Sequence, residues 1–173
     1  MKNSNDSLRS GPRPASNSVM EAVNGVIYLM EQVPMSVILL LARIGVGTVF
    51  IVSAQTKVVD WSLLDALTFN LTLGDNTFTL FEYEYALPIL PFKVAAYMAT
   101  YAESLLPLLL FIGLFTRLAA LALLGMTLVI QIFVYPGHWP EHAFWAASLL
   151  LIMAKGPGMA SIEHWLGKIL AGR

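Results

Sequence analysis

Two residues that could do chemistry, Arg43 and Glu103, stand inside long apolar runs of this sequence. A charge held in such a run is expensive unless paired, and it marks a ligand, ion or proton site by default. Counted at about 1.5 Å per helical residue, Arg43 lies roughly 12 Å from the inner end of its run and Glu103 roughly 18 Å from the inner end of another. A long Arg side chain covers that offset, so the sequence predicts an Arg43–Glu103 ion pair. The pair has two readings. It either fixes how two helices pack, or it floors a polar pocket, since Gln55, Lys57, Tyr97, Tyr101, Gln131 and Tyr135 fall in the outer halves of these runs.

A second cluster is FVYPGHWPEHAFW, residues 133–145, with His138, Glu141 and His142 close together. These three side chains are the sequence's one metal-ligand alternative. Pro140 stands between the histidines and disfavours a continuous helix carrying both on one face. With Tyr135, Trp139 and Trp145 beside them, the histidines fit an aromatic belt at a membrane surface better than a metal centre. The chain has no Cys, which excludes disulfides, thiolate nucleophiles and Cys metal clusters. No phosphate loop, dinucleotide fingerprint, nucleophile elbow or HExxH helix occurs. A formal net charge of −1 without a basic stripe gives no nucleic-acid surface. No intrinsic cofactor is evident.

The elements that must position these groups are helical. Hydrophobic residues make up 57% of the chain and charged ones 12%, with the apolar residues gathered in runs approaching the roughly 20 needed to cross hydrocarbon as a helix. The fold class is all-α: an integral membrane four-helix bundle with flanking amphipathic helices and a long outer loop. The spans are expected at about 35–56, 94–115, 118–135 and 140–154. Residues 1–18, polar and rich in Ser, Asn, Pro and Gly, read as a disordered cytoplasmic tail, and residues 19–173 as the membrane domain. Val19, Met20, Val23, Ile27 and Met30 recur at helical spacing and predict an amphipathic surface helix. A second such helix follows the GPG stop at residues 156–158, with Ser161 as its N-cap.

Within the loop, NLTLGDNTFTL alternates around Gly74, Asp75 and Asn76, which predicts a small hairpin. Pro107 should kink its span. Gly45, Ala99, Ala102, Gly113, Ala119, Ala120, Ala122 and Gly125 are expected at close helix contacts. Seven basic residues (Lys2, Arg9, Arg13, Arg117, Lys155, Lys168 and Arg173) fall on the inner side if both termini are cytoplasmic. The positive-inside rule then predicts a multi-pass protein of that orientation.

Residues 42–61, ARIGVGTVFIVSAQTKVVDW, and 80–166, from LFEYEYALPILP through FVYPGHWP to the GPG turn, resemble the DoxX family of bacterial inner-membrane proteins. The Arg43, Lys57, Glu103 and Thr116–Arg117 positions occur in the family's order. Where members often have Ser-Gly-x-x-Lys, this chain has Ser53, Ala54, Gln55, Thr56 and Lys57, so Ala replaces a Gly that would allow close backbone approach. The resemblance implies four membrane helices in a bacterial inner (plasma) membrane and an accessory subunit of a redox system that binds a quinone or a periplasmic or membrane redox partner protein. It implies Arg43 and Glu103 in a membrane pocket, with Lys57, Tyr101, Gln131 and His142 at its outer mouth. The alternative from the residues is a non-enzymatic membrane anchor or a small-solute transport protein in contact with lipid.

Overall fold

A computed structural model describes residues 15–88 and 90–172 of the 173. The described chain is all-α. Helix α1 (Ala15–Glu31) belongs to a unit of its own that ends at Pro34. Its apolar residues Val19, Met20, Val23, Ile27 and Met30 are all exposed. It begins inside the segment that composition assigns to the tail, and residues 1–14 lie outside the described residues.

The second unit contains α2 (Met35–Gln55), α3 (Leu63–Leu67), α4 (Asp75–Thr79), α5 (Phe92–Ile112), α6 (Thr116–Val129), α7 (Trp139–Lys155) and α8 (Ile162–Leu170). Helix α4 runs on through a wider turn, Leu80–Tyr85, and α6 through another, Ile130–Val134. Both close on i→i+5 bonds, from Ala86 N–H to Phe81 and from Tyr135 N–H to Ile130. Such turns recur at functional sites, and here both end beside one cavity.

Among the described residues three helices are long and apolar enough to cross a membrane: Met35–Gln55, Phe92–Ile112 and Thr116–Val134, of mean hydropathy 2.3, 1.5 and 2.1. An odd number of crossings puts the two termini on opposite sides, which corrects the expected placement of both in the cytoplasm. That expectation counted a fourth crossing at 140–154. The helix there, α7, has 17 residues and is not among the three.

Helix α2 packs on α5 and α7, and α6 packs on α5 and α7. Phe50, Leu110, Leu123, Leu149 and Ile152 form their common core, and Phe50 meets Trp145 edge-on with ring centroids 5.7 Å apart. Ala119 and Ala120 are buried there, as expected of small residues. Gly45 and Gly125 instead have nothing within 4 Å of an added Cβ. Gly113 is in close contact as expected, and so is Gly47, where a Cβ would stand 2.5 Å from the Phe111 ring. Helix α5 runs unbroken through the buried Pro107.

The loop departs from its expected hairpin. Leu71 and Leu73 are buried and the intervening Thr72 is exposed, as alternation requires, but the segment pairs with the end of α2 and not with a second strand. Val59 N–H donates to Thr72 O and Gly74 N–H to Lys57 O, both at 3.0 Å, around one antiparallel bridge between Val58 and Leu73. Asp75 then opens α4, a helix that an acidic first turn favours. A second apolar cluster, including Ala66, Leu71, Leu73, Phe81 and Ala96, ties this loop to α5.

Candidate functional site

Glu103 does not meet Arg43. Its Oε2 lies 2.7 Å from Lys57 Nζ, and both side chains are buried. The ammonium also donates to Ser53 Oγ at 2.7 Å and Ser53 O at 3.1 Å, so its three N–H bonds are all satisfied. Ser53 is in the last turn of α2 and Lys57, four residues on, is in the turn that follows it.

Arg43, 1% exposed, is held by main-chain oxygen. Nε donates to Leu110 O at 2.6 Å, Nη2 to Phe111 O at 2.8 Å, and Nη1 to Pro157 O and Ala160 O at 2.7 and 2.8 Å. Leu110 and Phe111 are in the last turn of α5, whose carbonyls carry the negative end of the helix dipole, and Leu110 O also accepts from Gly113 N–H at 3.2 Å. Level helix ends were the faulty assumption. The Arg43 bonds place α2's inner end well beyond the end of α5, and Glu103, seven residues before Leu110, is about 10 Å further along.

Gly113 follows the last turn of α5 at φ +69°, in the left-handed region, and a Cβ there would lie 2.8 Å from Arg43 Nη2 and 2.9 Å from Ser161 Cα. Gly113→Ala is therefore expected to lower stability by about 1–3 kcal/mol, measured as the thermal midpoint of the purified protein. An unchanged midpoint would show that this junction yields freely.

In the opposite half of the bundle α2, α5, α6 and α7 enclose a cavity of about 450 Å³, capped by residues of the loop. Its wall is largely apolar, with Phe50, Phe81, Met126 and Trp145 among the lining, and Ala95, Ala99 and Ala102 leave room along α5. Ser53, Tyr85, Glu103, Tyr135 and His142 supply the polar groups, with the exposed His138 and Glu141 at the edge.

Of the six pocket candidates, Glu103 and His142 line this cavity. Lys57 stands behind Glu103 and Gln131 behind His142, each one hydrogen bond away. His142 Nδ1 is 2.6 Å from Gln131 Oε1. Because Gln131 Nε2 donates to Pro136 O at 2.8 Å, the amide oxygen faces the ring, so Nδ1 donates and a neutral ring keeps Nε2 as acceptor. Tyr101 lies outside the cavity, its hydroxyl accepting from Leu71 N–H at 3.0 Å. Arg43 is at the far end.

The metal alternative is not assembled: among the described residues no group of three His, Cys, Asp or Glu side chains could hold an ion. His138 and Glu141 are 3.5 Å apart and exposed. No continuous α-helix carries both histidines, as Pro140 leads one to expect: α7 begins at Trp139, after His138, and Pro140 sits in its first turn, where a helix has no use for the missing N–H. His142 is thereby one turn into α7 and buried.

Sequence reasoning missed Tyr85 and Glu84. Tyr135 Oη donates to Glu84 Oε1 at 2.5 Å and its ring meets that of Tyr85 edge-on. Burial, then the Tyr135 phenol, pushes Tyr85 well above the ordinary phenol range, and the Glu84 bond pushes Tyr135 up. Both phenols keep their protons at neutral pH. Nothing local announces Glu84 as the partner of a residue 51 positions away. The Ser53–Lys57 spacing, in contrast, was visible.

Spanning helices around an apolar cavity with a buried ion pair in its wall define a polytopic α-helical membrane protein. The family model for DoxX matches residues 38–136, more than half of the chain, and the chain belongs to the DoxX family. The match includes Arg43, Lys57, Glu103 and Gln131 and ends before His138. No curated protein and no solved structure matches the chain.

Proposed function

We propose that this chain is an accessory membrane subunit of a redox system and that it holds a quinone in the cavity between α2, α5, α6 and α7. The supporting observation is that one cavity of about 450 Å³ combines an apolar wall with Glu103 and His142, each braced by a buried or half-buried partner. Pockets of this size, apolar with a few placed polar groups, suit small organic ligands. An isoprenoid quinone has the matching two-part character, a ring with carbonyl acceptors and an apolar tail. Met98, Val129 and Leu90 line the cavity yet are exposed, which supports an opening towards lipid beside α5 and α6 where a tail can leave.

In this reading His142 and Glu103 contact the ring, Gln131 fixes the imidazole tautomer, and Lys57 keeps the Glu103 charge compensated. The quinone supplies two-electron chemistry when bound. Its electrons come from a partner protein, since the sequence carries no Cys and no recognisable flavin or haem motif. The four lining helices form the bundle, three of them crossing the membrane, and α8 is an amphipathic helix that follows α7.

The test is reconstitution with a defined ubiquinone or menaquinone, followed by extraction and quantification of the quinone retained per protein. Wild type is expected to retain near-stoichiometric quinone. Ala99→Phe, which fills the cavity, should reduce retention at least about tenfold, a loss of roughly 1.4 kcal/mol or more of binding. Equal retention in wild type and Ala99→Phe would overturn the assignment.

A further inference from the structure

Residues 58–74 fold back along α5 and do not stand clear of it. Trp61 Nε1 donates to Ser104 Oγ at 3.1 Å, Leu71 N–H reaches the Tyr101 hydroxyl, and the Phe69 ring lies 5.2 Å from the Tyr101 ring. Tyr101 and Ser104 are nine and twelve residues beyond Phe92, or roughly 14 and 18 Å along a helix of about 31 Å. The segment therefore lies against the membrane-crossing part of α5, not beyond its end.

Its outward face is apolar. Val59, Leu63, Leu64, Leu67 and Phe69 are exposed, Leu64 at 70% and Phe69 at 68%. Phe69 is held there at φ +56°, a left-handed conformation that costs a non-glycine residue about 1–3 kcal/mol. Internal hydrogen bonds hold the fold of the segment in place. Asp65 and Ala66 N–H donate to Ser62, Thr68 to Leu64, Asn70 to Asp65, Leu71 to Tyr101 and Gly74 to Lys57.

We infer that residues 58–74 form a re-entrant segment whose Leu63, Leu64, Leu67 and Phe69 face contacts the acyl chains of the surrounding bilayer. Asp60 and Asn70, exposed polar residues of the segment, keep it near the boundary between acyl chains and headgroups. This placement does not depend on what the cavity binds.

The chain has no Cys, so single cysteines report without background. Leu64→Cys, Phe69→Cys and, as a water-facing reference, Tyr83→Cys (75% exposed) are reconstituted as pure protein in phosphatidylcholine vesicles. The vesicles are permeabilised so that a charged maleimide reaches both faces. Positions 64 and 69 are expected to react at least about tenfold more slowly than position 83, since the bilayer excludes charge, and to become reactive in denaturant. Nitroxides there should collide more often with oxygen than with a water-soluble nickel chelate. No protein partner is present to give that protection. Reaction at the rate of position 83, or nickel collisions in excess, would overturn the inference; Leu67→Cys gives the same reading if either variant fails to fold.

Discussion

Lys57→Met should lower the stability of the purified protein by about 3–5 kcal/mol, because it leaves the Glu103 carboxylate buried without its partner. The pair is closed on both sides: 2.7 Å between Nζ and Oε2, with Ser53 taking the remaining ammonium hydrogens. The complementary result separates the cost of an orphaned charge from the worth of the pair. Lys57→Met combined with Glu103→Leu should recover most of the loss, since an apolar replacement of a buried ion pair is often neutral or better. Denaturant titration of the four proteins completes a double-mutant cycle. A Lys57→Met protein within about 0.5 kcal/mol of wild type would mean that the carboxyl accommodates itself without Lys57. The double variant also divides structure from ligand binding, because a folded protein with undiminished quinone retention would leave the pair only a structural role.

What the sequence disclosed about this site follows from which interactions are local. Apolar runs located the three spanning helices, and Glu103 stood out because a carboxylate inside such a run needs a reason. Its partner was not legible. Pairing Arg43 with Glu103 required helix ends to be level, and nothing in either run records that α2 starts well beyond the end of α5. Lys57 was placed at a pocket mouth because it closes a span, yet the Ser53–Lys57 spacing already put the two within reach of each other. The 71–73 alternation identified the buried leucines correctly, because period two is a local property. What they pair with, the end of α2, is a tertiary fact. Pro140 was legible because its effect is local: a proline is tolerated in the first turn of a helix, and α7 starts one residue before it, leaving His138 outside.

Arg43 carries the second large effect, and it lies far from the cavity. Its guanidinium joins three pieces of chain: α2 itself, the last turn of α5 and the 156–161 connection. Arg43→Met should destabilise the protein by about 3–5 kcal/mol, comparable to breaking a buried charged network, because four main-chain carbonyls lose their charged donor. Arg43→Lys should recover little. An ammonium has three N–H bonds on a tetrahedral centre and cannot reproduce a planar fork reaching Leu110, Phe111, Pro157 and Ala160 together. Thermal unfolding measures the loss, and limited proteolysis locates it: cleavage within residues 156–161 should precede global unfolding in both variants. If Lys restored wild-type stability, the charge and not the fork would be what Arg43 contributes. Quinone retention in the fraction that remains folded should stay at the wild-type level, since Arg43 does not line the cavity. A selective loss of retention there would return Arg43 to the ligand site from which the geometry separates it.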